Sequence, residues 1–499
     1  MRFLKKKHSV YKEPQDSILA TNDLYKNLSF IKELMCETDD LKVHEFIFND
    51  QPCLLIYLGT LADEKLIDSI IIEPLLEHNT GVIEQLVRAS QLNKTSDLSA
   101  AVGSLLLGKC IVLEGNNPAL YLIAVPKSQG RSIEEPANEK VIKGSHEGFV
   151  ENLNTNIFLI RQRIKSPQLK VKYFKVGNIS NTEIAMIYLN NLVNSAIIKE
   201  VETRISTIKI DQLLASGNLE QLIEDTPFSP FPQMLNTERP DRAISNLTEG
   251  KICVIVDGDP RILIMPISFF AFYQSSDDYT NRWMVGSFFR FIRLFGFVVA
   301  ISFPAIYIAL VSYHSEILPF GILYSVRVSL QYVPFPPLLE AMVMQTILEL
   351  LKEASIRLPS PIAQTIGVVG GLVIGTAIVQ ANLISNTMIV VIGFTAIASF
   401  VVPVDEMGTS VRLLGFPMMI MAALFGFFGI AFMFMMIFIH LSKLESFGTP
   451  YFAPFAPLKI KDLKDTFLRL PVWLLNSRPT DAKPNFVRQQ WYSRVWKKK

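Results

Sequence analysis

One predicted helix carries a concentration of charge in the apolar C-terminal half of the chain. Residues 338–357 read LLEAMVMQTILELLKEASIR, and at 100° per residue the polar side chains collect on one face. That face contains Gln345, Thr346, Glu349, Lys352, Glu353 and Arg357. Each glutamate precedes a basic residue by three or four positions, the order that favours ion pairs along a helix. Carboxylates arranged in this way attract cations, and rings of carboxylates select them.

The charged helix lies among apolar runs long enough to cross a bilayer, for which about 20 residues are needed. Four such runs are predicted as membrane spans, near residues 294–313, 361–379, 383–402 and 413–441. Two interpretations of the helix over 338–357 are open. It either enters the membrane with its carboxylates facing a water-filled path, or it lies on the outer surface with its charges in water. Glu340, near its start, is interpreted as a helix-terminus residue.

The distribution of basic residues predicts how the spans are oriented. Arg290 and Arg293 precede the first span and favour a cytoplasmic start, and basic residues also follow the last span. Four crossings then place both ends of the chain in the cytoplasm. Asp405 and Glu406 are expected in a short connection on the outer side.

Small residues recur every four positions in the second span. Ala363, Gly367, Gly371 and Gly375 form one continuous face on which a neighbouring helix can approach closely. The sequence leaves open whether that neighbour belongs to the same chain or to a second copy.

The first half of the chain contains an internal duplication. GKCIVLEGNNPALYLIAVP begins at Gly108 and GKICVIVDGDPRILIMP begins at Gly250, and each reads as two strands joined by an acidic-Gly turn. LKVHEFIF at residue 41 likewise matches LKVKYFKV at residue 169. The order of helix, two strands, helices and two strands predicts two tandem α/β modules.

The chain is therefore predicted to be multidomain, with two tandem α/β cytoplasmic modules followed by an α-helical multi-pass membrane domain. The predicted units are a basic flexible N-terminus, the two modules, the membrane domain and a basic cytoplasmic tail, at 1–19, 20–143, 144–285, 286–443 and 444–499. The net charge of +2 gives no reason to expect a nucleic-acid partner. No catalytic constellation, metal-ligand spacing or cofactor motif is found in the sequence.

The stretch Thr237 to Arg242, TERPDR, combines a helix start with a cluster of charges. Its charged side chains are predicted to make interdomain contacts, either between the modules or with the membrane part. They are Glu238, Arg239, Asp241 and Arg242.

A series of ordered motifs resembles the A-subunit family of GerA-type spore germinant receptors. The motifs are EGFVENLNTNIFLIRQRIKSP from Glu147, FPQMLNTERPDR from Phe231, VDGDP, DDYTNRW from Asp277, VPFPPLLEAM from Val333, ELLKEASIRLPSPI from Glu349 and VGGLVIGTAIVQANLIS from Val369. The resemblance runs from about residue 145 to 445, and the first module and the tail match more loosely. Ser145-His146 departs from the Pro-Arg that is more frequent in the family.

The resemblance implies a subunit of a nutrient-sensing complex in the inner membrane of the bacterial spore, which triggers germination and is not an enzyme. It further implies a transporter-like B subunit and a lipoprotein C subunit as partners, and a homo-oligomer in the lipid bilayer that forms a ligand-gated cation path. In that setting Glu349 and Glu353 are expected to line the path, near Gln345, with Lys352 and Arg357 tuning its charge. The alternative is a non-conducting scaffold that assembles the other subunits.

Overall fold

Two five-stranded antiparallel sheets and a helical bundle follow one another along the chain. The computed structural model describes residues 18–490 and residue 496, apart from 79, 90, 128–134, 137, 142, 360–361, 363–370, 372 and 374. Ala363 and Gly367 of the predicted packing face therefore lie outside the described residues.

The first sheet and its helices form module 1. Its elements are α1 (Leu24–Leu34), β1 (Leu41–Phe48), β2 (Gln51–Leu58), α2 (Glu64–Ile67), a π-helical turn (Asp68–Ile72), α3 (Glu73–His78), α4 (Ile83–Leu86), β3 (Leu92–Thr95), α5 (Leu98–Leu105), β4 (Lys109–Glu114) and β5 (Leu120–Ala124). Successive side chains of β2 point to opposite faces of the sheet. Leu54 and Ile56 thus enter one core while Cys53 and Leu55 enter the other.

The second sheet and its helices form module 2. Its elements are α6 (Leu153–Arg163), β6 (Leu169–Val176), β7 (Thr182–Leu189), α7 (Ser195–Ser206), α8 (Ser216–Ile223), β8 (Leu235–Thr237), α9 (Pro240–Thr248), β9 (Ile252–Val256) and β10 (Ile262–Met265). The strand order is β6-β7-β9-β10-β8, which matches β1-β2-β4-β5-β3 of module 1. The α/β class predicted for the first half from the duplicated β-rich runs is confirmed.

The two edges of the second sheet face different parts of the molecule. At the β6 edge, the backbone N–H of Asp39 donates to the carbonyl of Val171 at 3.0 Å, so module 1 extends that edge. The β8 edge faces the helices that follow.

A buried ion pair joins the modules. The guanidinium of Arg161 on α6 donates from Nε and Nη2 to both carboxylate oxygens of Asp40, at 2.6 and 2.7 Å, and both side chains are 1% exposed. Thr60 also donates to Asp40, at 2.9 Å. Burial raises the pKa of the Asp40 carboxyl, but the charge and hydrogen bonds of Arg161 outweigh burial and hold that pKa below its ordinary value.

The C-terminal half is mainly helical. After a 3₁₀ turn (Phe269–Tyr273) its helices are α10 (Ser276–Thr280), α11 (Trp283–Ser312), α12 (Phe320–Leu330), α13 (Pro337–Arg357), α14 (Asn386–Phe400) and α15 (Asp405–Lys443), with a further 3₁₀ turn at Ser315–Ile317. Within the described ranges, α11 and α15 are the two helices long and apolar enough to cross a membrane by length and composition. The buried residues of α11 and α15 form one continuous core with one face of module 2.

Helix α15 reverses direction near its middle. Gly426 has φ 59° and ψ −140°, a conformation that residues with a side chain rarely adopt. A Cβ atom placed on Gly429 would collide with the carbonyl oxygen of Met421, eight residues earlier, which a straight helix would hold about 12 Å away. Residues 405–425 and 427–443 are therefore the two arms of a helical hairpin.

Both arms of α15 contact the same loop of module 2. Near the start, the Ser410 hydroxyl donates to the carbonyl of Pro230, and near the end His440 Nε2 lies 2.9 Å from Ser229 Oγ. The prediction that Asp405 and Glu406 lie on the side opposite to the modules is wrong, because the carboxylate of Glu406 accepts from the amide of Asn236 at 2.8 Å. The apolar run of 29 residues at 413–441, predicted as one span, contains parts of both arms.

Residues 445–490, expected as a basic tail, fold back onto module 2 and the start of α11. Tyr451 Oη donates to the carbonyl of Pro232 at 2.7 Å, and Arg478 Nε donates to the carbonyl of Thr248 at 2.6 Å. Asp465 accepts from the buried Arg290 at 2.9 Å. The tail thus fixes the first long helix against the second module. Two further short strands lie in this part, Glu445–Ser446 and Thr449–Pro450, with 3₁₀ turns at Asp462–Asp465 and Val472–Leu474.

A pair of carboxyl groups is buried where α15 meets module 2. The amide nitrogen of Asn236 donates to Glu220 at 2.9 Å and to Glu406 at 2.8 Å. Burial, followed by the charge of Glu406, raises the pKa of Glu220 to about 8. The pair therefore keeps a proton to a higher pH than a free carboxyl group does.

Replacing Asp40 with Asn should loosen module 1 from module 2, because the guanidinium of Arg161 then stays buried without its carboxylate. Removing one partner of a buried ion pair costs about 3–5 kcal/mol. We expect faster tryptic cleavage in the linker, residues 127–144, of the detergent-solubilised full chain. Glu84→Gln, which removes the partly exposed Lys94–Glu84 pair, is the control and should leave the rate unchanged. Equal rates for both variants would contradict the structural role of the Asp40 pair.

Replacing Glu220 with Gln should raise stability in a pH-dependent way. The folded chain keeps the Glu220 proton up to a pH of about 8, whereas the unfolded chain loses it near pH 4.3. Between these values the folded state binds more protons, so its stability falls as pH rises. The difference in melting temperature, variant minus parent, should grow from pH 5 to pH 8 and level off above. A difference that is constant across this range would show that Glu220 is not a buried acid.

Candidate functional site in the helical bundle

The charged helix α13 runs along the bundle from its far end to its module-facing end. Near its start, the carboxylate of Glu340 accepts from the backbone N–H of Ser385, the residue that caps α14, at 2.9 Å. Near its end, Lys352 Nζ donates to Asp405 at 2.9 Å, at the start of α15. The 21 residues of α13 extend over about 31 Å, the hydrocarbon thickness of a bilayer.

Glu340 is buried rather than a simple helix-terminus residue. Its side chain is 0% exposed, and its Oε1 atom has no hydrogen-bond partner among the described residues. The N-terminus of α14 places its positive dipole end at the other oxygen, Oε2. The Oη atom of Tyr307 on α11 is also buried, and it too has no hydrogen-bond partner within the part of the chain that the structure describes. The far end of the bundle therefore contains two buried polar atoms, Glu340 Oε1 and Tyr307 Oη, that the described residues do not satisfy.

The middle of the charged face is paired within the chain. Arg412 Nε on α15 lies 2.9 Å from Glu349 Oε1, and Arg412 is only 8% exposed. Gln345 Nε2 donates weakly to Glu349, at 3.4 Å, and its Oε1 atom is buried without a partner in the described part of the chain. Glu349 and Lys352 thus fasten α13 to α15, and Gln345 contacts Glu349 from one turn earlier on the same helix.

The last two predicted site residues reach the surface. Arg357 pairs with Glu353 one turn earlier, at 2.5 Å, and their side chains are 77% and 59% exposed. The five predicted residues therefore divide into an internal set of three and an external pair. Chemically, the internal set can hold helices together, whereas the external pair can meet ions or another chain.

The exposed face of α13 is otherwise mostly apolar. Exposed positions recur along it at intervals of four and three residues, at Leu339, Val343, Thr346, Leu350, Glu353 and Arg357, and two more residues near the helix end, Ala354 and Ile356, are exposed as well. Leu339, Val343 and Leu350, which lie beside the predicted polar face on a helical wheel, are turned away from the bundle. A stripe with this spacing suits packing against another helix of the same kind.

The described part of the predicted packing face is open. Nothing lies within 4 Å of a Cβ atom placed on Gly371 or on Gly375. No neighbour from the described part of the same chain covers these two glycines.

The charged residues of TERPDR hold the linker between the modules. Glu139 accepts from Arg242 at 2.6 Å, and Glu238 accepts from the amide of Asn138, also at 2.6 Å. Arg239, which is 2% exposed, forms a two-pronged pair with Asp241. Arg242 also donates to the carbonyls of residues 271 and 274, just before α10.

A cleft of about 690 Å³ lies between the modules, next to the Asp40–Arg161 pair. Charged groups of both signs line it together with two aromatic rings, Phe158 and Tyr173. Such a lining can form ion pairs and hydrogen bonds with a small polar molecule. Among the described residues, no group of three or more acidic, histidine or cysteine side chains could hold a metal ion.

Sequence reasoning missed two residues that the structure brings into the site. Arg412 was not among the predicted site residues, yet it is the partner of Glu349, 63 positions earlier. Glu340 was interpreted from its position alone. The signal that could have found both is the same: an ionisable residue within or beside an apolar helix needs a partner.

The chain was compared with known proteins. A family model described as "Bacillus/Clostridium GerA spore germination protein" matches residues 29–481. "Spore germination protein KA" of Bacillus subtilis (strain 168) is 36% identical over 494 residues, which cover 96% of this chain and 90% of that protein. "Uncharacterized membrane protein YfkQ" of the same organism is 36% identical over 473 residues, covering 93% and 92%.

Among solved structures, the N-terminal domain of the A subunit of the Bacillus megaterium spore germinant receptor GerK3 is 25% identical. It covers 51% of this chain and 99% of that domain, with a TM-score of 0.39. The family match spans nearly the whole chain, modules and helical bundle together. The resemblance drawn from the sequence motifs is confirmed, and this chain belongs to the GerA spore germination protein family.

Proposed function

We propose that this chain is a multi-pass membrane subunit of a nutrient-sensing germinant receptor, and that copies of it surround a gated cation path. Family membership and the names of the relatives support the role in germination. The apolar helices α11 and α15 and the membrane-protein name of one relative support the membrane location. The proposed cellular location is the inner membrane of the spore, with both ends of the chain in the cytoplasm.

The observation that carries the proposal is the position of α13 between the two ends of the bundle. A helix of about 31 Å that is fastened at one end by Glu340 and at the other by Lys352 is suited to crossing a bilayer rather than lying on it. We therefore favour the membrane-crossing interpretation of this helix. With α11, the span near 361–379, α14 and the two arms of α15, the chain would cross six times.

The cation path is proposed to run along the exposed stripe of α13. In a ring of copies the alternating spacing of Leu339, Val343, Thr346 and Leu350 would bring the stripes together around an axis. Glu353 would then contribute a ring of carboxylates at the cytoplasmic mouth, with Arg357 tuning its charge. Gln345, Glu349 and Lys352 would act one step away, by holding α13 in position against α15.

The partners are proposed from the family. A transporter-like B subunit and a lipoprotein C subunit would complete the receptor, and the two α/β modules would assemble the ring or transmit gating. The core that module 2 shares with the bundle supports the transmission of gating, because a shift of the module would also displace the α11 and α15 side chains packed against it.

A second candidate function is a non-conducting scaffold for the other subunits. It is favoured by one observation, the pairing of Glu349 with Arg412 and of Lys352 with Asp405 inside a single chain. Charges neutralised in this way hold helices together whether or not an ion passes. The two candidates differ in what happens when the external pair is altered.

Neutralising Glu353 should change ion flow without changing the amount of protein. In spores carrying Glu353→Gln, we expect monovalent cation release after nutrient addition to slow several-fold, because a ring of carboxylates is lost. The measurement is potassium release at saturating nutrient, with subunit abundance determined by immunoblot. Glu316→Gln, an exposed glutamate at the far end of the bundle, is the matched control.

If Glu353→Gln spores release potassium at the parental rate and contain the parental amount of the subunit, Glu353 does not line the path. Loss of release together with loss of protein would favour the scaffold function. Slowed release at normal abundance, with the Glu316→Gln control unaffected, would support the cation path.

Reversing the internal pair should separate structure from conduction. Glu349→Arg places a second guanidinium group beside that of the buried Arg412 and removes its carboxylate partner. Leaving a buried charged group without its partner costs about 1–3 kcal/mol or more. We expect low abundance for Glu349→Arg and for Arg412→Glu, and recovery in the double variant. Normal abundance of both single variants would show that this pair does not hold α13.

A further inference from the structure

A large apolar side chain stands fully exposed on the loop that contacts both arms of α15. The loop is Thr226–Gln233, TPFSPFPQ, and the side chain of Phe228 in it is 100% exposed. Three residues later Phe231 is 2% exposed and packs beside the ring of His440, with centroids 6.1 Å apart. The loop is therefore docked on the bundle while its first phenylalanine points away from the protein.

The loop is held in one shape rather than hanging free. The side-chain amide of Gln233 accepts from the backbone N–H of Thr226 at 3.0 Å and donates to the carbonyl of Thr226 at 2.7 Å, closing the loop at its base. The backbone N–H of Ser229 also donates to the carbonyl of Thr226, at 3.1 Å. Prolines at 227, 230 and 232 fix their own φ angles. Phe228 is thus presented outward by a rigid loop.

The height of Phe228 along the bundle follows from its neighbours. Ser229 meets His440, which lies one turn before the exposed Lys443 at the end of α15. Pro230 meets Ser410, more than one turn after the start of that helix. At this level the outward side chains of α15 are already apolar, namely Leu413, Phe438 and Ile439. The loop that carries Phe228 therefore meets α15 before its charged end at Lys443, at a level where the outward side chains of that helix are apolar.

We propose that Phe228 inserts into the lipid bilayer at its module-facing surface and anchors module 2 to the membrane. The proposal rests on the proposed function, because it requires the bundle to span a membrane. Aromatic side chains are favoured at the boundary between headgroups and acyl chains. A ring presented at that level by a rigid loop enters the lipid with little loss of conformational freedom, and it continues the apolar surface of α15 onto the module.

The experiment places a fluorescent bimane label at position 228 of the full chain. Phe228→Cys is made in a Cys36→Ser background, since Cys53, Cys110 and Cys253 are buried. The labelled protein is reconstituted into phosphatidylcholine and phosphatidylglycerol vesicles that contain nitroxide lipids. We expect strong quenching by a nitroxide near the headgroup and several-fold weaker quenching by a nitroxide near the chain end. A fully exposed side chain makes no packing contact, so the substitution leaves the fold intact.

Two labelled controls distinguish failure of this inference from failure of the proposed function. Phe394→Cys, on the exposed face of α14, should be quenched by the nitroxide near the chain end, and Ile47→Cys in module 1 should not be quenched. No quenching at 394 would overturn the membrane-spanning bundle itself. Quenching at 394, with position 228 behaving like position 47, would overturn the anchor alone. A blue-shifted emission at 228 that ignores both nitroxides would identify a protein partner and also overturn the lipid assignment.

Discussion

The chain reversal at Gly426 is the constraint on which the arrangement of the bundle depends. Without it, 39 helical residues would extend about 58 Å and carry the C-terminal segment far from module 2. With it, both arms return to the loop that contains Ser229 and Pro230. The carbonyls of residues 423 and 424, which lose helical partners at the turn, accept from the hydroxyl of Tyr313 at 2.6 and 3.0 Å. The residue that follows α11 thus supplies the hydrogen bonds that these carbonyls need at the turn.

Because both arms of α15 reach module 2, several contacts join the bundle to the module. The first arm provides Glu406 for the buried carboxyl pair and Arg412 for Glu349, so α13 is tied to the module through a single intermediate helix. Helix α11 is held in turn by the C-terminal segment through Arg290 and Asp465. In the proposed receptor, a movement of the modules would therefore reach α13 through packed helices and paired charges rather than through a flexible linker.

The sequence predicted much of this structure, and its failures have physical causes. Period-two β-rich runs and their repetition were enough for two α/β modules, since both register and hairpin turns are local features. The bounds of the charged helix, 338–357, agree with α13 to within one residue. The reversal at Gly426 was missed because glycine is frequent in apolar helices, so its presence gives no signal there. A run of 29 apolar residues was interpreted as one tilted span.

The polar face of α13 was identified correctly, but its surroundings were not. A helical wheel shows that Gln345, Glu349 and Lys352 share one side of α13. It cannot show that their partners on that side are residues 405 and 412, which lie more than 50 positions later in the sequence. Glu353 lies only one helical turn after Glu349, but it extends past the start of α15 and stays exposed. Partners distant in sequence thus decide which charges of α13 hold helices together and which stay at the surface.

The measurement that tests this account most directly is the distance between the two ends of α15. Spin labels at the exposed positions 409 and 442, introduced as Thr409→Cys and Ser442→Cys in a Cys36→Ser background, can be measured by double electron–electron resonance in nanodiscs. Packed arms of a hairpin lie 8–10 Å apart at their axes, so with the label arms a distance of roughly 20 Å is predicted. A straight helix would separate the same positions by about 50 Å, and that result would contradict the reversal and the arrangement built on it.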